Sequence, residues 1–337
     1  MNGAAHSSMR AALIATILAS AAIAPLAAAA DPDSHESPLV AYALELGQPD
    51  SRSDLGELHA SASALRAVTF EMERYPPPRD DDCAQTLGAS RFAQQYAQLA
   101  TIQDQLGNFE AVVQAYRSAL ACSPRVASYE ASLASAYVNL DQVAAARAAA
   151  ERANALDPDD LGIRELRAHL DFIEEHWADA TARFRLLALG EGDTRLAEYA
   201  RSFLWLAQGR AGVRNPDVPE RVPRDPSREE TGVERWPGQI FDTLQGKLSE
   251  EALLQVIRDF TPESDRRGLL TEALFYIGER KLAEGDVETA RRHFATVVNL
   301  RVLSFVEYGM ARAELKKMRD RKPLAAAASA KASTPGR

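Results

Sequence analysis

The chain has 337 residues, 39 Lys and Arg against 48 Asp and Glu, a formal net charge of −9, and 46% apolar residues. That is enough apolar material for a core, which excludes a disordered chain. The acidic balance argues against a nucleic-acid partner, which calls for a basic field. Two cysteines are too few for a zinc ribbon or a disulfide-dense scaffold.

Residues 1–30 read as a signal peptide. One charge, Arg10, precedes an apolar run from Ala11 to Leu26 that is too short and too alanine-rich for a membrane span. Ala28-Ala29-Ala30 has the small residues a signal peptidase accepts, so cleavage is expected near Ala30. An N-terminal core helix is the other reading of this run. No cysteine follows it to carry acyl chains, and no later stretch has the length of a span. A periplasmic chain with no stable membrane anchor is therefore expected.

Residues 31–90 form an N-terminal segment with one clear helix. Leu55, Leu58, Leu65, Val68, Phe70 and Met72 make an amphipathic stretch from Leu55 to Tyr75, which Pro76-Pro77-Pro78 ends. It is expected to cap the unit that follows.

Residues 91–210 repeat with a period of 34. Ala100, Ala134 and Ala168 share one position; Phe109, Val143 and Trp177 another; Tyr116, Ala150 and Phe184 a third; Pro124 and Pro158 close two units. Small residues suit positions where two helices approach, aromatics fill the gap above them, and proline ends the second helix. The pattern resembles the tetratricopeptide repeat (TPR), a helix–turn–helix unit. That resemblance implies an all-α solenoid of stacked helix pairs, with a capping helix at one end and a closing helix at the other. The units are 91–124, 125–158 and 159–190. The third departs from the pattern at Arg164 and Arg167, where larger apolar residues often sit. A further helix at 194–209 is expected to pack on it.

Prolines 216, 219, 223 and 226 stand among charges in 211–235, which reads as a linker with too little apolar surface to order itself. Periodicity returns in 236–322. Trp236-Pro237-Gly238-Gln239-Ile240, Gly246-Lys247-Leu248-Ser249-Glu250, Glu272-Ala273-Leu274-Phe275-Tyr276-Ile277-Gly278, Gly285-Asp286, Ala290, Phe294 and Phe305-Val306-Glu307-Tyr308 carry a second resemblance. They are similar to the C-terminal part of the NlpI-type TPR lipoproteins of Gram-negative bacteria. That resemblance implies a periplasmic adaptor for peptidoglycan hydrolases or a processing protease, and a homodimer. Residues 303–320 are expected to form the closing helix, and 323–337 a disordered tail.

In the TPR register, the first helix of each unit lines the concave face. This predicts a partner-binding surface of Gln94, Thr101, Asp104 and Gln105, then Ser128, Ser135 and Asn139, then Glu165, His169 and Phe172. The Lys/Asn clamp of chaperone-binding TPRs is missing, since Ala97 and Thr101 stand at its leading positions. An extended or helical peptide is the expected ligand. Cys83 precedes the first unit's opening helix and Cys122 ends its second; antiparallel helices set those ends side by side, so a disulfide is expected in an exported chain, two free thiols being the other reading. No His-Glu-x-x-His, Gly-x-Ser-x-Gly or P-loop pattern occurs, so no catalytic residue, metal or cofactor is predicted. The expected function is a non-catalytic protein-interaction scaffold; a TPR subunit of a cell-envelope export or assembly machine is the alternative.

Overall fold

The computed structural model describes residues 37–46, 53–74, 80–190, 194–220, 231–260 and 263–332. The signal-peptide assignment lies outside them, as does the centre of the Pro-rich segment. The described elements are helical: α1 (Pro38–Glu45), α2 (Ser53–Arg74), α3 (Asp80–Cys83), α4 (Ala89–Gln105), α5 (Phe109–Cys122), α6 (Ala127–Asn139), α7 (Val143–Leu156) and α8 (Leu161–Ile173). They continue with α9 (Trp177–Ala188), α10 (Thr194–Arg210), α11 (Gly232–Leu244), α12 (Glu250–Asp259), α13 (Glu263–Ala283), α14 (Val287–Leu300) and α15 (Val306–Ala332).

The helix pairs α4/α5, α6/α7 and α8/α9 are the three predicted units, each packed on the next. The period of 34 is visible in the backbone. Gly107, Asp141 and Glu175 occupy the same turn position and all adopt left-handed φ, at 72°, 60° and 61°. Only at Gly107 is that conformation free of a Cβ penalty. Ala146, Ala149, Ala150 and Ala153 of α7 are all fully buried, so this helix packs by close approach rather than by side-chain volume. Alanine also favours the helix itself. At the other end of the chain, α13 and α14 pair in the same way. Gly278 makes the approach possible, because a Cβ there would lie 2.9 Å from the Phe294 ring.

Helix α2 packs on α4, the first unit's opening helix. Leu65 is buried, but Phe70 is 60% exposed, so the apolar stripe read from the sequence is only partly used. Helix α1 carries no predicted element. It docks on α12, α13 and α14, burying Leu39, Val40, Tyr42 and Ala43. Ser37 donates to Glu250 at 2.6 Å, and Arg258 lies 4.9 Å from the Tyr42 ring centroid.

Residues 211–220, read as unable to order themselves, are tied down by polar side chains together with Val218, which packs against the core. Gln208 pairs with both backbone groups of Asp217 at 2.9 Å, and Arg201 donates to the Pro219 carbonyl at 3.0 Å. One core therefore runs on from the repeats through Trp236, Phe275 and Phe294 to Ala313. Helix α15 continues through Pro323 to Ala332, past the predicted start of the tail. The alanine-rich composition of that stretch suits a helix.

Candidate protein-interaction surface

Residues of α4 and of the start of α6, with Tyr116 of α5, face one another across an opening. Between them lies an open cavity of about 360 Å³ lined by Gln94, Ala97, Gln98, Thr101, Tyr116, Ser128, Tyr129 and Ser132. Three predicted residues, Gln94, Thr101 and Ser128, are thus brought together. The Tyr116 and Tyr129 rings lie 6.0 Å apart. Burial, and then Tyr116, pushes the Tyr129 hydroxyl above its ordinary pKa, so it stays a neutral donor at physiological pH. The Thr101 hydroxyl donates back to the Ala97 carbonyl at 3.0 Å, leaving its oxygen as an acceptor. The cavity offers neutral donors and acceptors beside two aromatic rings, the chemistry that suits a peptide backbone with an apolar side chain.

The remaining predicted residues divide. Gln105 and Ser135 are exposed; Gln105 accepts from Ser61 of α2 at 3.3 Å, and Ser135 donates back to the Ala131 carbonyl. Asp104 is half-buried, and burial holds its carboxyl above the usual range. Asn139 is engaged by the chain itself. Its carbonyl accepts from Arg312 at 2.6 Å, and a Cβ at Gly309 would lie 2.7 Å from its Oδ1. Helix α15 packs here, against α6 and α8. Lys316 pairs with Asp141 and Lys317 reaches Glu175 at 3.6 Å, so the two strained turns are docking points for the closing helix. Glu165 lies within electrostatic reach of Tyr276 and Glu307, on α13 and α15.

His169 and Phe172 are core residues, which corrects the groove assignment. His169 sits 4.6 Å from the Phe203 ring and 5.5 Å from Phe184, and its Nε2 has no hydrogen-bond partner. Burial drives its pKa down to about 3, so the ring is neutral. Phe172 packs edge-on against Trp177 and Phe203. Position in a repeat assigned both to the open face; α10 and the second half of the chain cover that face here. Tyr116, Tyr129, Gln98 and Ser132 are the cavity residues the sequence reading missed. Their signal was the run of hydroxyl and amide side chains around the two tyrosines.

Cys83 and Cys122 are joined in a disulfide, with their Cα atoms 4.6 Å apart, and form a small cluster with Ala93, Phe92, Tyr96 and Tyr129. The bridge fixes α3 to the end of α5, beside the cavity.

Two charged clusters elsewhere are structural. Asp171, Glu174 and His176 offer ligand atoms within 4.8 Å of one another. Arg147 bridges Asp171 and Glu174, and Arg183 meets Asp171 at 2.6 Å, so guanidinium groups supply the charge a cation would bring. Inside the second half of the chain, Glu272 accepts from Trp236 Nε1 at 2.8 Å and from the Tyr199 hydroxyl at 2.6 Å. Burial raises Glu307 to about 8 and Glu279 to about 7; Arg210 pairs with Glu279 and lies 3.5 Å from Glu314. These carboxylates line neither cavity described in this protein.

Among the described residues, no helix is long and apolar enough to cross a membrane. A family profile described as "Tetratricopeptide repeat" matches residues 131–160, which are most of α6 and α7. The "Lipoprotein NlpI homolog" of Haemophilus influenzae is 34% identical over 85 residues, 25% of this chain. The match spans about a quarter, 27%, of that relative's length. The stacked helix pairs, the recurring left-handed turns and these two matches agree: the chain carries a tetratricopeptide repeat within an all-α stack of helix pairs and resembles NlpI over about a quarter of its length.

Proposed function

We propose that this chain is a non-enzymatic protein-interaction scaffold of the periplasm, an adaptor that holds a cell-wall hydrolase or a processing protease. The observation that carries this reading is the open concave cavity between α4 and α6. It presents Gln94, Gln98, Thr101, Ser128 and Ser132 around two tyrosines. Neutral polar groups of this kind bind a peptide backbone, and the rings accept one apolar side chain. Because α15 packs on the end of α6 at Asn139 and on α8, the part of the face left to a partner is α4 and the start of α6. The likeness to a protein named a lipoprotein favours the cell envelope as the place of work. A homodimer, implied by the same likeness, is tested by light scattering of the purified protein.

The test is photo-crosslinking in living cells. A benzoylphenylalanine replaces Gln98 in the cavity or, as a control, the exposed Gln114 on α5. Wall hydrolases or a protease captured through position 98 and not 114 support the reading. Capture of export-machine subunits moves the assignment to that class of assembly. Equal capture at both positions removes the cavity from it.

A further inference from the structure

The third unit breaks its own pattern at Arg164 and Arg167, and both line a cavity. This cavity, of about 550 Å³, opens between the first half of α8, the end of α9 and the start of α10. That is within the range of ligand sites. Leu161, Leu186, Leu187 and Leu196 line it, with Arg164, Arg167 and Arg183. Leu161 and Leu186 are 39% and 73% exposed, and Leu189, three residues after Leu186 on the same face, is 58% exposed. Large apolar side chains gathered at one place on a surface mark an interaction site.

The polar side of the cavity is cationic in a chain of net charge −9, and among the described residues no carboxylate lines it. The arginines find their partners outside it: Arg164 with Asp159 at 2.6 Å, Arg167 with Glu151 at 3.1 Å, Arg183 with Asp171 at 2.6 Å. The Asp159 side chain is 91% exposed and that of Glu151 45% exposed. Water screens the Arg164–Asp159 pair, so an incoming carboxylate can replace Asp159 at little cost, whereas the Arg167 side chain, 16% exposed, is held more firmly. Arg167 is set in advance by a 2.8 Å bond to Asn154. Its Nε and Nη2 hold the two oxygens of Glu151 at 3.1 Å, a fork already set for a carboxylate, which a ligand would take over by exchange with Glu151.

We propose that this cavity is a second docking site, separate from the concave face, for a peptide segment of a partner protein that carries an apolar side chain beside a carboxylate. The apolar group enters among the leucines and the carboxylate meets Arg164 and Arg167. Leu186 and Leu189 extend the apolar surface along α9 beyond the cavity mouth. A fatty acid held inside would leave that surface bare, whereas a peptide covers it. The cationic rim also selects orientation and partner sign.

The probe is a random dodecapeptide library displayed on phage and panned on the full chain, followed by fluorescence polarisation with a fluorescein-labelled copy of the enriched sequence. We expect Leu, Met or Phe adjoining Asp or Glu. Binding should weaken by on the order of tenfold or more in the doubly substituted Arg164→Glu, Leu186→Asp protein. Both positions are exposed enough for the chain to fold, which circular dichroism verifies. Thr101→Glu, in the concave cavity, should leave this affinity unchanged, so this site and the concave one stand or fall separately. Three results overturn the proposal: no such consensus, equal binding to the double variant, or displacement of the peptide by sodium dodecanoate.

Discussion

Glu279→Gln is expected to flatten the pH dependence of stability between about pH 4.5 and 7. Glu279 has no solvent exposure. Burial raises its pKa from 4.5 to about 7 against the pull of Arg210, and Glu314 pushes it the same way as burial. Across that window the folded carboxyl keeps a proton that the unfolded chain has released. The folded state binds more protons, so stability is fully present below the unfolded pKa and is lost as pH rises through the folded one. At ~1.4 kcal/mol per pH unit the loss is ~3 kcal/mol. Glutamine keeps the shape and removes the titration. Glu307, held up to about 8, titrates in parent and variant alike and cancels in their difference. Urea unfolding followed by circular dichroism at intervals between about pH 4.5 and 8 gives the two curves. Parent stability should fall ~3 kcal/mol further than that of the variant over the window. Parallel curves would mean that Glu279 stays ionised throughout and that Arg210 outweighs burial.

Phe184→Ala should cost ~3–5 kcal/mol in urea unfolding, because Phe184 is 1% exposed and stacks 4.9 Å from Phe203; a parent-like midpoint would contradict the packing of the third unit. Cys122→Ser should lose ~2–4 kcal/mol by releasing a cross-link between positions 39 apart. Reductant should destabilise the parent by a similar amount and leave the variant unchanged. Gly278→Ala places a methyl 2.9 Å from the Phe294 ring and 3.1 Å from His293 Cβ. Its overpacking cost of ~1–3 kcal/mol should match or exceed the ~1 kcal/mol that alanine gains in helix propensity. A clearly more stable variant would mean that α13 and α14 lie further apart.

The repeat units were legible because their signal is local and recurs. Alanines at one spacing and turn residues at another fix where helices begin, end and approach. The N-terminal helix α1 was not legible, since eight residues are too few to show a helical period and their contacts lie far along the chain. His169 was misassigned for a related reason. Repeat register says which way a side chain faces, but not whether another part of the chain covers that face. Arg164 and Arg167 show the opposite limit. The departure from pattern was plain in the sequence, whereas the cavity these residues line depends on how α9 and α10 pack around it. Gln94, Thr101 and Ser128 line one cavity because the first two units keep their regular stacking.

An open repeat array folds and frays unit by unit, since each repeat touches only its neighbours. Helix α1 gives this chain a different course. Its contacts reach α12, α13 and α14, and the bond from Ser37 to Glu250 spans 213 positions. Such closure is slow to form, because the ends of a long loop must meet before any contact rewards them. During synthesis α1 emerges before every other described helix, yet its face of Leu39, Val40 and Tyr42 has nothing to cover it until the last third of the chain is made. Assembly is therefore tied to completion: a ribosome that stops before α13 leaves a set of formed repeats with an uncovered apolar helix, the kind of species that chaperones hold.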